Sequence, residues 1–306
     1  MPYGQELEPE THAVCLAGML LKTLESDPGR DLSRNIKLGS TLSADKHPQE
    51  KFHYCVSNPP FGKPWTKDQE FVEREHAQKQ YDGRFGPKLP RSSDGSMLFL
   101  QHLVSKLEAP EKGGGRAAII LSGSPLFNGN AGQGESEIRR HLLEEDLVEA
   151  IIALPTEIFF RTGIGTYIWL LSNKKPAARR GKVQLINATE LYTPMRKSEG
   201  NKRREISNDQ IRQIVSSYAA FEANATSLIL DYRDFGYRRV RVLRPLRKKM
   251  VITVANMASL REQAAWDRRS DASKAGWAGC GFSTTLSMSR RKRSWICAAT
   301  GRSRKP

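Results

Sequence analysis

Asn58-Pro59-Pro60-Phe61 is the stretch of this 306-residue sequence best suited by residue type to chemistry. Two consecutive prolines fix φ and remove two N–H donors, so the backbone there is stiff and its carbonyls are free to accept hydrogen bonds from a ligand. The Asn58 side-chain oxygen and the Pro59 carbonyl can both accept from one exocyclic NH₂ group. That leaves the amine lone pair facing an incoming electrophile. Phe61 adds a flat surface on which a heterocycle can stack. Such a site works by orientation, with a reactive cofactor supplying the chemistry, and needs little acid or base. Alone, these four residues also fit a rigid turn after a strand.

Other candidates are less distinctive. Lys63, Lys67, Lys79, Lys88 and Arg91 follow the motif and suit either phosphate contacts or a solvated loop. Trp65 fits a pocket wall or a packing role equally. Arg196, Lys197, Lys202, Arg203 and Arg204 form a basic loop able to meet DNA or a partner subunit. The glycines of 129–134 have G-x-x-G-x-G spacing, which reads as a flexible turn and not as a dinucleotide loop. Cys15, Cys55, Cys280 and Cys297 form no C-x-x-C pair, and no histidine stands at metal-ligand spacing from them, so no metal site is expected.

Composition narrows the class. Hydrophobic residues make up 38% of the chain, enough for a real core, and 49 Lys and Arg against 33 Asp and Glu give a net charge of +16. That surplus points to a polyanion, usually nucleic acid. Residues 246–306 alone carry a net +11, leaving only +5 on the first 245. The longest apolar run, 13–21, is too short to span a bilayer and has an acidic flank. A cytoplasmic globular protein is expected.

The elements that must carry the motif follow from periodicity. Residues 11–24 read as a helix capped by Thr11, and 36–38 as a short strand ending at Gly39. Residues 52–57 read as a strand running into Asn58. Residues 63–93, charged and without clear periodicity, read as a long mobile loop. A helix is expected from 93 or 94 to 107, then a buried strand at 117–121. A helix at 135–145, strands at 147–154, 166–171 and 183–186, and a helix at 207–221 complete the pattern. Strands alternating with helices predict an α/β fold with a mostly parallel sheet, whose ligands bind beyond the carboxyl ends of strands.

The motif and its surroundings resemble the modification subunit of type I restriction-modification systems, an adenine-specific DNA methyltransferase. The likeness runs from about residue 3 to 249. It is carried by YGQE (3–6), NIKLGSTL (35–42), NPPF (58–61), SDGSMLFLQH (93–102), GRAAIIL (115–121), ESEIRRHLL (135–143), VEAIIALP (148–155) and IFFRTGI (158–164).

The resemblance implies a partial Rossmann-like methyltransferase fold using S-adenosyl-L-methionine on an adenine flipped from double-stranded DNA. It implies that Asn58 and Pro59 hold the amine beside Pro60, that Phe61 stacks on the base, and that Phe159 or Phe160 is the second aromatic. Glu6 falls where the family holds the cofactor's ribose. Ser40 falls where the family has an acidic or amide residue near the cofactor's adenine. The family's first strand and glycine-rich cofactor loop precede YGQE and are not among these residues. The implied partners are a specificity subunit, a restriction subunit and a second modification subunit. The expected domains are a catalytic one over 1–225, a helical linker over 226–271 and a disordered basic tail over 272–306. Two rival readings share the residues: an inactive remnant that only docks on partners, and an NPPF methyltransferase acting on RNA or on a protein glutamine.

Overall fold

The structure is a computed structural model that describes residues 1–26, 31–160, 162–237 and 253. It opens with β1 (Gly4–Glu6), the helix α1 (Pro9–Ser26) and β2 (Ile36–Leu38), with β1 and β2 paired in parallel. Pro9 starts α1, two residues before the expected cap at Thr11, because a proline in the first turn loses no intrahelical bond. β3 (Tyr54–Ser57) then leads into Asn58.

The stretch 63–93, expected as a loop, instead holds the helix α2 (Gln69–Lys79) between two short 3₁₀ turns. Only Val72 of α2 is buried, so its sequence shows no apolar stripe. The chain continues through α3 (Ser96–Ser105), β4 (Arg116–Ser122), the single turn α4 (Ser124–Phe127), α5 (Gly134–Glu144), β5 (Val148–Ala153), β6 (Thr166–Ser172) and β7 (Lys182–Asn187). Two further strands, β8 (Thr193–Glu199) and β9 (Lys202–Glu205), form a hairpin where a basic loop was expected. The helix α6 (Asn208–Ala220) and β10 (Ser227–Asp231) complete the described elements.

Six strands form the main sheet in the order β10-β7-β5-β6-β4-β3. β3, β4, β5 and β7 share one direction, while β6 and β10 run against their neighbours. β6 runs against β5, and the described residues of 154–165 hold no helix of the kind that carries a chain back across a sheet to a parallel strand. β10 lies beyond the boundary expected at 225 and belongs to this sheet. The fold is α/β with a partial Rossmann-like sheet, and expectations for residues 238–306 fall outside the described residues apart from exposed Thr253.

Two apolar layers sandwich the sheet. On one face Met97, Leu100 and Leu103 of α3 and Ile138 and Leu142 of α5 pack on Cys55, Ile119, Leu121, Trp169 and Leu171. On the other, Ile214 of α6 meets Ile152, Ile186 and Ala188. A third cluster, Leu42, Trp65, Val72, Phe85 and Leu98, lies beside the sheet and joins the segment after β2 to the segment after β3. Among the described residues no helix is long and apolar enough to cross a membrane.

Candidate functional site

The carboxyl ends of β3, β4, β5 and β7 lie at one edge of the sheet, and the motif leaves that edge from β3. Cys55 anchors β3 in the core, and burial pushes its thiol up to about 11, so it stays a neutral packing group. Of the motif residues, Pro59 is buried, Phe61 is half-buried, and Asn58 and Pro60 are exposed. The Asn58 amide thus stands at the surface on a strand end that is itself fixed. Gly62 turns the chain with φ +58, and open space surrounds it.

Beyond the turn the backbone is tied down. The Lys63 carbonyl accepts from Gly95 N at 3.0 Å, and Trp65 N donates to the Ser92 carbonyl at 3.1 Å. Trp65 is a packing residue: it is buried, and its Nε1 donates to the Arg91 carbonyl at 2.9 Å. The Lys63 side chain is exposed. Arg91 is engaged internally, with Ser124, Asp94 and Glu135.

Phe61 meets Phe159 edge to face, ring centroids 6.2 Å apart and planes at 68°. Phe159 sits in the loop that leaves the carboxyl end of β5, so two strand ends contribute the aromatic pair. Phe160 is exposed and goes elsewhere: its carbonyl accepts from Asn201 N at 3.0 Å, at the tip of the β8–β9 hairpin. The hairpin is fastened to the Phe159 loop by Arg203 N and Arg204 N, both donating to the Glu157 carbonyl, and by ion pairs of both guanidiniums with the Glu157 carboxylate. Arg196 and Lys197 remain exposed on it.

Glu6 and Ser40 stand at the carboxyl ends of β1 and β2. Glu6 Oε1 accepts from Glu8 N at 3.0 Å, and the Gly39 N–H donates to the Glu6 carbonyl at 2.9 Å. Gln5 staples the two strands to the next loop, its amide donating to the carbonyls of Gly39 and Ala44 and accepting from Lys46 N. Ser40 Oγ donates to Asp68 Oδ1 at 2.8 Å. Nothing in the sequence spacing links Asp68 to Ser40, and it was missed there.

Arg84 was missed for the same reason. Its guanidinium forks between the Glu75 carboxylate and the carbonyls of Thr41 and Leu42, at 2.6 and 2.9 Å. It fixes the segment after Ser40 to α2. Beside it His102 is held well below an ordinary histidine, at about 4, chiefly by burial and then by Arg84, with Lys106 adding to the effect and Asp45 and Glu75 opposing it. Between about pH 6.5 and 4 the unfolded chain therefore takes up a proton that the folded chain refuses, and stability falls as the pH drops through that window. The expected loss is on the order of 3 kcal/mol. His141 is also lowered by burial, so the check is the difference between wild type and His102→Gln in urea midpoint from pH 7 to 5. A wild-type slope matching that of the variant contradicts the assignment.

A cavity of about 1040 Å³ lies apart from these residues, on the sheet face between Trp169, Leu185, Arg139 and Phe235. None of Asn58, Phe61, Phe159, Glu6 or Ser40 lines it.

Comparison with known proteins gives this geometry a family. The type I restriction enzyme MjaIX methylase subunit of Methanocaldococcus jannaschii is 26% identical over 224 residues, covering 72% of this chain and 36% of the relative. The EcoKI methylase subunit of Escherichia coli K12 is 30% identical over 170 residues, 54% of this chain and 27% of the relative. Among solved structures, the type I restriction-modification methyltransferase subunit of Streptococcus thermophilus superposes with a TM-score of 0.62 at 27% identity. It covers 76% of this chain, which spans 44% of that one. The chain thus spans roughly a third of the curated relatives it matches. The model of the N-6 DNA methylase family matches residues 1–233, well over half of the sequence, and the chain belongs to that family.

Proposed function

We propose that this chain is the methyl-transfer portion of a type I modification subunit, acting on the exocyclic amine of adenine in double-stranded DNA. The observation that carries the reading is the placement of Asn58-Pro59-Pro60-Phe61 at the carboxyl end of β3, with Phe159 of a second strand end against Phe61. An adenine amine inside a duplex is out of reach, so the base must be flipped into the site. Phe61 and Phe159 present the aromatic surfaces for it. The Asn58 side-chain oxygen and the Pro59 carbonyl accept the two amine hydrogens and turn the nitrogen lone pair outward. The rate gain comes from that orientation, without a strong base.

S-adenosyl-L-methionine, the implied cofactor, supplies the electrophilic methyl group when bound. The residues present fit it. Glu6 and the Ser40–Asp68 pair put two carboxylates at the carboxyl ends of β1 and β2, and neither carboxylate has an ion-pair partner among the described residues. Glu6 suits ribose hydroxyls. Lys63 and the exposed Arg196 and Lys197 suit the phosphates flanking a flipped base. The reading also assigns cytoplasmic work beside a specificity subunit, a restriction subunit and a second modification subunit.

Calorimetric titration with S-adenosyl-L-methionine tests the cofactor half. Binding at about micromolar strength, near −8 kcal/mol, is expected. A folded chain that gives no binding heat at any temperature tried overturns it.

A further inference from the structure

Glu157 has a left-handed backbone, φ +61, which residues with a side chain rarely adopt. Such a conformation persists where its surroundings over-determine it, and here they do. The Glu157 carbonyl accepts from two consecutive N–H groups, Arg203 N at 2.9 Å and Arg204 N at 3.2 Å. Its carboxylate meets the same two guanidiniums, at 3.9 and 3.7 Å. Arg204 is fixed further, 4.0 Å from the centre of the Tyr192 ring and donating to Thr156 Oγ1 at 3.0 Å.

A second attachment lies at the hairpin tip. Gly200 has φ +60, and a Cβ there would come within 2.7 Å of the Phe160 carbonyl oxygen. Asn201 N donates to that same carbonyl. The hairpin thus clasps the loop at 157 and at 160, and Phe159, the residue set against Phe61, falls between the two holds.

Away from the clasp the hairpin is strongly basic. Residues 193–205 carry five basic side chains against two acidic ones, more than half of the net +5 on the first 245 residues. Arg196 and Lys197 are exposed, lie where the β8–β9 register is interrupted, and have no ion pair among the described residues. Unpaired cations on a firmly anchored arm suit the phosphates of a nucleic-acid backbone.

We propose that Glu157 is a positioning residue that joins the two functions: the hairpin grips the DNA backbone, and its clasp on Glu157 sets Phe159 for the flipped base. The inference rests on the methyl-transfer reading of the Phe61–Phe159 pair. Glycine would adopt this backbone more easily, but only a carboxylate there can hold both guanidiniums.

The test is single-turnover methyl transfer at saturating DNA by the chain assembled with a specificity subunit, beside titrations of DNA and cofactor. Glu157→Gly suits the backbone and removes the carboxylate. It is expected to slow transfer at least about 10-fold, with both affinities within about threefold of wild type. In a Phe159→Ala background the same substitution is expected to change the rate by less than about threefold, because its effect passes through that ring. A role in folding alone would lower the urea midpoint and leave the rate of the folded molecules where it was. Arg203→Ala combined with Arg204→Ala breaks the clasp from the hairpin side, is expected to reproduce the slowing, and serves if the glycine variant does not fold. Arg196→Ala combined with Lys197→Ala is expected to weaken DNA binding at least about 10-fold and to reduce its salt slope by about two. Transfer by Glu157→Gly within about threefold of wild type, or a loss undiminished in the Phe159→Ala background, overturns the coupling and leaves the transfer reading intact. DNA binding unchanged without Arg196 and Lys197 overturns the grip of the hairpin on DNA. A wild-type assembly that methylates no DNA overturns the transfer reading, and the inference with it.

Discussion

Asn58→Ala is expected to lower methyl transfer at least about 1000-fold while leaving cofactor affinity within about threefold. Asn58 is exposed at the end of edge strand β3, so its removal leaves the core intact, and on the proposed reading its amide meets the flipped base. On that reading, what is lost is one of two acceptors for the amine. An adenine nitrogen lone pair is delocalised into the ring and is a poor nucleophile until the hydrogens are held out of the ring plane. Losing such an interaction acts on the transition state and spares ground-state binding of the cofactor. Single-turnover transfer by the chain assembled with its partner subunits, alongside a cofactor titration of each variant, separates the two effects. Turnover within about tenfold of wild type removes Asn58 from the mechanism.

The second large effect falls on folding. Glu149 on β5 is almost fully buried and lies between Arg116, at 2.7 Å, and Arg179, at 3.6 Å. Arg179 is itself buried and sandwiched between the rings of Tyr218 and Phe221 at the end of α6. It also donates to Gln184 on β7 and to the Tyr218 carbonyl. The carboxylate is thus the counter-charge that lets α6 dock on the sheet. Glu149→Ala leaves the Arg179 guanidinium buried without it and is expected to cost about 3–5 kcal/mol. Urea unfolding reads this as a fall in midpoint at constant slope. A loss below about 1 kcal/mol would mean that the pair is no more than an exposed ion pair in its effect.

How much of this was legible depended on how local the signal was. Asn58-Pro59-Pro60-Phe61 was readable because its chemistry lies in four adjacent residues whose backbone the prolines set. The strands at 116–122, 148–153 and 166–172 were readable because short buried runs and their flanking turns carry their own signature. α2 was not, because it buries a single valine and owes its place to Trp65, Phe85 and Leu98 from elsewhere in the chain. The β8–β9 hairpin was not, because its strands are largely exposed and charged, and it is fastened to the Phe159 loop through Glu157. Phe159 and Phe160 were equivalent in sequence. Only the fold set one against Phe61 and the other at the hairpin tip. Asp68 and Arg84 illustrate the same limit, since each acts on a partner about 30 to 40 residues away.

The most direct test of the central claim is to identify the methylated product. The chain, assembled with a specificity subunit, is given double-stranded DNA and S-adenosyl-L-methionine labelled in the methyl group, and the DNA is digested to nucleosides and analysed by mass spectrometry. The account predicts label in N6-methyladenine, lost in Asn58→Ala. Label on cytosine, or label that persists undiminished in Asn58→Ala, would contradict it.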